Sequence, residues 1–470
     1  MVFPTLNFLI FYLGIWPLSW LLVRARRHGL HKLAIIAASY IFYAAWSTKF
    51  TLLLLASVCL NWGTGRLIGA SGDKRQRRLV VGVGVALNLA LLGYFKYWNF
   101  FIENFDELLR SAGLQAEMPY WEIVLPVGIS FFTFQGISYI VDLYRGDLDR
   151  PRRFVDVMLF ISFFPHLVAG PIVRAASFLP QLEKPPNPNR VFVSLGVCLV
   201  GWGVFKKAVV ANWLSVDLVD PVFRTPLEYG GADILMAVYG YAIQIYCDFS
   251  AYSDIAIGVA ALLGYRFQRN FHQPYRAPSL QDFWRRWHMS LSSWLRDYLY
   301  IPLGGSKKGR VRTYVNLLLT MVIGGLWHGA AWHYVVWGAL HGGGLAVERA
   351  TGLDRASPWP WRQVLRIVLV FHFVCFCWIF FRAKDMTAAT DILGQLTDWS
   401  AAPQLVTPFL IGLVVLGFMM QATPQDLLQR LDRLYHALSP WTVGVLGGLL
   451  LLLIEAFGGD GSAPFIYFQF

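Results

Sequence analysis

Apolar runs long enough to cross a bilayer alternate along this chain with short loops rich in arginine and lysine. The first run, residues 3–23, would span a hydrocarbon core of roughly 30 Å as a helix. A signal peptide carries positive charge before its apolar run and a small-residue cleavage site after it. No basic residue precedes this run, so the pattern predicts an uncleaved first helix. Further spans are predicted at 33–46, 50–68, 80–97 and 123–143, with the less apolar 99–121 expected to lie along the outer interface. Between the spans fall Arg24, Arg26, Arg27 and Lys32, then Lys74, Arg75, Arg77 and Arg78, then Arg145, Arg150, Arg152 and Arg153. Cytoplasmic loops carry such an excess, and the three loops agree in placing Met1 on the outer side.

The second half is less regular. Residues 154–173 are apolar but contain Phe164-Pro165-His166 and Gly170-Pro171, and proline removes an amide donor and breaks a helix. Broken backbone at membrane depth is tolerated where protein or a water-filled cavity surrounds it, so a kinked or re-entrant segment is expected here. A proline-rich loop at 183–190 precedes a span at 191–211, which carries Lys206 and Lys207 near its end. Residues 232–265 are long enough for a span plus a half-span and contain Gln244, Asp248, Ser250 and Asp254. Two readings of these acids stand: pairing with the arginines downstream, or a direct chemical role. Residues 266–302, rich in Arg, Trp and Tyr, are too polar to span and predict interfacial or re-entrant helices facing a cavity. Lys307, Lys308, Arg310 and Arg312 mark another cytoplasmic loop. Apolar runs at 315–325 and 330–347 flank a break at Trp327-His328-Gly329, and 364–381, 405–420 and 443–457 follow. The pattern predicts an all-α polytopic membrane protein of about ten to twelve spans with two or more partial ones, and no internal repeat is visible.

Composition agrees. The chain is 56% hydrophobic and 14% charged, against about 25% charged in soluble domains. Its 19 Trp and 21 Tyr suit the headgroup level. The net charge of +12 would fit nucleic acid, but the basic residues fall in short loops between apolar spans, and nucleic-acid binding is not expected. Five cysteines give neither a disulfide framework nor a zinc pattern, and Cys375-Phe376-Cys377 reads as helix packing.

The candidate chemistry centres on 281–344, which runs from Phe283-Trp284-Arg285-Arg286-Trp287-His288 to Gly325-Leu326-Trp327-His328-Gly329. An ionisable side chain retained at bilayer depth is a functional candidate by default. His328 sits at a glycine-flanked break without a carboxylate nearby in sequence, and neutral imidazole accepts a proton near pH 7. His328, His333 and His341 do not read as a metal site, because the first two would point about 140° apart on a helix. His341-Gly342-Gly343-Gly344 resembles an esterase oxyanion loop, yet no Gly-x-Ser-x-Gly elbow accompanies it and the glycines read as helix packing. Gly82-x-Gly84 lies inside a span and is likewise packing. A histidine-centred acid/base site in a membrane cavity with a basic cytoplasmic mouth suits acyl transfer from an anionic thioester, which needs alignment, one base and oxyanion stabilisation.

At these residues the chain resembles the membrane-bound O-acyltransferase (MBOAT) family. The similarity is greatest to its bacterial exopolysaccharide acetylases, such as the membrane components that acetylate alginate and the similar cellulose-acetylation proteins. The resemblance covers nearly the whole chain. It is most specific at 283–292, at 296–305 and at Gly325-Leu326-Trp327-His328-Gly329, with support from 249–258 and from 164–172. Ala251 stands where relatives usually carry glycine. The resemblance implies a single membrane-embedded domain over 1–470 with its catalytic core at about 120–350. The helices would form a ring around a thin centre with a cytoplasmic funnel. It implies His328 as the catalytic histidine and His288, 40 residues upstream, as the second. Trp327, Arg285, Asp254, Asp248, Asn270 and Trp332 are the candidate substrate-binding residues. No bound cofactor is expected. Acetyl-CoA is the implied acyl donor, although relatives that D-alanylate teichoic acid use a carrier protein. Implied partners are the lipid membrane, a periplasmic SGNH-type acetyltransferase and a polysaccharide synthase complex, at the bacterial inner membrane.

Structural roles compete at each position. His288 could hydrogen-bond a re-entrant backbone. Arg285, Arg286 and Arg296 could bind donor phosphates, or neutralise Asp248, Asp254 and Asp297. His333, His341 and His372 read as packing or hydrogen-bonded helix residues, and His166 fits either role. The rival class is a proton-coupled transporter or flippase, or an export subunit without acyl-transfer chemistry.

Overall fold

The computed structural model describes residues 5–114, 120–187, 193–354 and 359–424, with scattered positions between 427 and 449. The expected span at 443–457 lies largely outside the described residues. All regular structure among the described residues is helical. Six of these helices combine the length and apolarity that a crossing needs: Asn7–Arg24, Thr48–Ala70, Lys74–Ser111, Val193–Arg224, Gly231–Leu262 and Pro360–Arg382. His28–Ala44, Ile129–Arg145, Arg310–His328 and Trp332–Thr351 are 17 to 20 residues long and more polar or glycine-rich. The chain packs as two compact units, one of Met1–Phe192 with Val259–Gln268, the other of Val193–Gly258 with Arg269–Phe470.

In the first unit Thr48–Ala70, Lys74–Ser111 and Ile129–Arg145 pack on one another. Asn61 and Asn88 seal the contact. Each amide donates to the other's carbonyl, at 3.2 and 3.0 Å, and each also donates to a carbonyl of its own helix, Ser57 O or Gly84 O, at 2.8 Å. Every amide hydrogen is thereby used, which avoids the cost of a buried unsatisfied donor. A Cβ on Gly136 would strike the Asn61 side chain, so only glycine lets the third helix come this close.

Several predicted boundaries move, two of them in this unit by several residues. Lys74–Ser111 is one helix of 38 residues, whereas the pattern predicted a span ending at 97 and an interfacial segment after it. No Gly or Pro interrupts residues 94–111, so the amphipathic stretch simply prolongs the crossing helix to about 57 Å. Ile129–Arg145 starts later than the predicted 123, because Pro126 and the left-handed Gly128 precede it. The broken segment is present as expected: helix Phe154–Ser162 bends at Phe163 into Phe164–Leu167, and Gly170 (φ 115°) turns the chain again. Ser39 Oγ accepts the freed Phe164 N–H at 3.1 Å. His166 bonds Phe160 O at 2.9 Å inside a box of Phe160, Phe163, Phe178 and Phe267, and this is a structural role.

In the second unit Val193–Arg224 continues past the predicted end at 211, widening into π-helical turns at Lys206–Ala211 and Ser215–Val219. Such turns recur at functional positions. Gly231–Leu262 is one unbroken helix of 32 residues. Arg310–His328 and Trp332–Thr351 lie against each other along their length. A Cβ on Gly325 would meet Tyr334 O and one on Gly338 would meet Met321 O, so backbone faces backbone at this contact. The polar stretch 266–302 folds into short helices, Leu280–Arg286 and Met289–Leu295, followed by a π turn at Arg296–Tyr300.

Candidate active site

The helix Arg310–His328 ends at the expected histidine because Gly329 is extended (φ −159°), and the return helix begins at Trp332. His328 is therefore a terminal side chain, only 5% exposed. Three rings enclose its imidazole edge to face: Trp327 at 5.0 Å, Trp337 of the return helix at 5.2 Å and Phe381 of Pro360–Arg382 at 5.1 Å between centroids. Trp337 also contacts His341, at 5.0 Å. Water is scarce around such an imidazole, which strengthens any charge interaction it makes.

His288 is placed by a different device. Ser279 caps Leu280–Arg286 by accepting from Asp282 N at 3.0 Å. Glu348, on the return helix, accepts from Leu280 N at 2.7 Å and Gln281 N at 3.0 Å, which satisfies two more amides of that helix start. The helix stops at Arg286, and His288 then adopts a left-handed conformation (φ 40°, ψ 54°). Asn270 and His272 brace the turn, since Asn270 O accepts from Met289 N and His272 N donates to Arg286 O, both at 2.9 Å. The His288 ring is fully buried, 4.6 Å from Phe249, and Trp327 lies 6.2 Å from it. Trp327 thus has its ring near both histidines.

Asp248, which is buried, and Asp254, which is partly exposed, do not pair with arginines. Asp248 meets Lys207 Nζ at 2.7 Å, and Asp254 meets Lys206 Nζ at 2.7 Å with Ser250 Oγ 2.6 Å from the same ammonium. The arginines lie elsewhere: Arg286 binds Asp282 at 2.7 Å, Arg296 grips the adjacent Asp297 at 2.6 and 3.0 Å, and Arg285 is exposed. A lysine has a compact charge and a long apolar stem, so it can lie along a span and still reach a carboxylate on the neighbouring helix. Lys206 and Lys207 were the signal: a dibasic pair inside an apolar run.

Among the other candidates, Asn270 is buried beside His288, whereas Trp332 is 56% exposed at the start of its helix. His333 bonds Phe380 O at 2.9 Å and His372 bonds Val368 O at 2.7 Å, both helix-packing roles. His272, in a loop between spans, has its pKa lowered by partial burial first and then by Arg269 and Arg286, with Asp282 opposing. Among the described residues no three His, Cys, Asp or Glu side chains converge as a metal site. Sequence reasoning did not single out Ser253 and Ser290, although both lie inside the quoted motifs, and it missed Trp337 and Phe381, which carry no motif and reach His328 only through packing.

Helices of this length and apolarity define a multi-span membrane protein. The description of the MBOAT, membrane-bound O-acyltransferase family matches residues 148–387. The probable alginate O-acetylase of Pseudomonas putida is 38% identical, over 98% of this chain and 98% of the relative. The peptidoglycan O-acetyltransferase of Helicobacter pylori is 34% identical, over 84% of this chain and 79% of its own length. The teichoic acid D-alanyltransferase of Bacillus subtilis is 28% identical, over 57% of this chain and 72% of that protein. The chain belongs to the membrane-bound O-acyltransferase family. It is an O-acyltransferase.

Proposed function

We propose that this protein takes an acetyl group from acetyl-CoA at the cytoplasmic side of the bacterial inner membrane and passes it outward for O-acetylation of an exopolysaccharide. Alginate is the first candidate acceptor and cellulose the second. Transfer goes to the polymer directly or through a periplasmic SGNH-type partner beside a polysaccharide synthase complex. The N-terminus faces the periplasm, and the basic loops face the cytoplasm, where the donor's phosphates are.

The observation that carries this reading is His328: a buried imidazole ending a helix in an aromatic enclosure, within the residues that match the family description. His328 takes the proton of the acceptor hydroxyl as its oxygen attacks the thioester carbonyl. The tetrahedral intermediate collapses, the C–S bond breaks, and the CoA thiolate leaves with the proton. His288 and Trp327 line the reacting position. The Lys206–Asp254 and Lys207–Asp248 pairs border it as a polar seam, and Arg285 and Trp332 act at the entrance. The extensive similarity to an alginate O-acetylase supports acetyl as the group moved.

Purified protein incubated with acetyl-labelled CoA and oligosaccharide acceptor should transfer label or, without acceptor, release free CoA slowly. His328→Ala should lose about 10²- to 10⁴-fold of this activity while purifying as a folded protein. Unchanged acetylation by that variant would remove His328 from the mechanism. Transfer from an acyl carrier protein alone would overturn the choice of donor.

A further inference from the structure

His288 combines two properties that a packing residue has no need of. Its backbone lies in the left-handed region at φ 40°, uncommon for residues other than glycine although Asn, Asp and His enter it more often than the rest. Its ring is wholly buried, and Nε2 has no hydrogen-bond partner among the described residues. A strained, buried imidazole with one nitrogen left over persists only if its surroundings over-determine it.

The surroundings converge on Asn270. Its backbone carbonyl accepts from Met289 N at 2.9 Å. Its side-chain Oδ1 accepts from Ser290 N at 3.1 Å and from Ser290 Oγ at 2.8 Å, and its Nδ2 donates to Ser253 Oγ at 3.0 Å. A backbone N–H only donates, so the Ser290 amide fixes which end of the Asn270 amide is oxygen. That oxygen lies 3.3 Å from His288 Nδ1. Two acceptors cannot bond one another, so Nδ1 carries the ring hydrogen. Nε2 is then left with a bare lone pair, the nitrogen that has no protein partner.

We propose that Asn270 is a positioning residue, holding His288 as its Nδ1–H tautomer so that Nε2 accepts a hydrogen bond from a second hydroxyl of the sugar acceptor, beside the one that reacts. This rests on the acyl-transfer reading above. The reacting hydroxyl gives its own proton to His328, and no covalent bond forms at His288. Ser253 belongs to the Gly231–Leu262 helix beside Asp254, which Lys206 holds. Asn270 therefore ties His288 to the same helix turn that carries the carboxylate of the Lys206–Asp254 pair.

The test uses the full-length protein in detergent with labelled acetyl-CoA and oligosaccharide acceptor, comparing Asn270→Ala, Asn270→Asp, Ser253→Ala, His288→Ala and the double variant Asn270→Ala/His288→Ala. Asn270→Ala should lower kcat by about 10- to 100-fold, the range for outer partners that orient a functional imidazole. Its KM for acetyl-CoA should stay within about twofold of the unaltered protein's. Asn270→Asp keeps the accepting oxygen and should recover most of the rate. The double variant should be no slower than His288→Ala, because Asn270 acts through that ring. Losses that multiply in the double variant, or full activity of Asn270→Ala, would overturn the proposal. If Asn270→Ala does not fold, Ser253→Ala decides: a smaller loss that vanishes in the His288→Ala background supports the proposal, and an unchanged rate sinks it. Failure of the unaltered protein to turn over acetyl-CoA would instead sink the acyl-transfer reading, whereas full activity of His288→Ala beside an active parent sinks only the role given to Asn270.

Discussion

The ammonium of Lys207 lies 2.7 Å from the carboxylate of Asp248, with 11% and 3% of the two side chains exposed. Lys206, the preceding residue, reaches Asp254 on the same opposing helix. Both lysines belong to a π-helical turn, where the helix widens, and both meet one polar stretch of Gly231–Leu262. Burying a charge costs several kcal/mol, and the opposite charge beside it offsets part of that cost.

Lys207→Met alone should therefore destabilise the protein by about 3–5 kcal/mol, since it removes the cation paired with a buried carboxylate. Adding Asp248→Leu should recover most of that loss. Thermal unfolding in detergent of the two single variants and the pair gives the comparison, and equal, additive losses would show that the ions act independently.

Trp337 forms one wall around His328 and is 1% exposed. Trp337→Ala should cost about 3–5 kcal/mol through the cavity it leaves, and acyl transfer should fall further than stability alone explains. Trp337→Phe keeps a ring edge against the imidazole and should do less on both counts. Unfolding midpoints read beside kcat separate the two effects.

Glu348 accepts from Leu280 N and Gln281 N at the start of the helix that leads to His288. Glu348→Ala should cost about 1–2 kcal/mol, as a lost helix cap does. Faster hydrogen exchange confined to 280–288 would identify the cause. Protection unchanged in that segment would show that the cap does not hold it.

Gly338 faces the Met321 carbonyl across the helix pair that carries His328. Gly338→Ala has no flexible neighbour to displace and should destabilise by about 1–3 kcal/mol. Gly343, with open space around its Cα, should accept alanine with little change. A matched pair of melting curves checks this difference.

Much of this protein was legible in its order of residues. Membrane class follows from long apolar runs, since each run states its own transfer free energy. The kink at Phe163 and the break at Gly329 follow from proline and glycine, whose conformational limits are local. The family followed from motifs around His288 and His328, and both histidines are buried with the Trp327 ring near each. Helix ends without such punctuation were misjudged. Ser111 ends a helix expected to stop at 97, because side chains that prefer the interface do not themselves unwind a backbone.

Tertiary structure alone chose the partners. Asp248 and Asp254 could have met any cation brought near them, and the nearby arginines looked sufficient, but helix packing delivered Lys207 and Lys206 instead. Asn270 carries no motif and becomes the brace of His288 only once residues 18 to 20 positions later fold back upon it. Periodicity and turn chemistry are properties of neighbours along the chain, whereas an ion pair or an orienting hydrogen bond is a property of distance in space. That distance is set by how every helix of the unit packs at once.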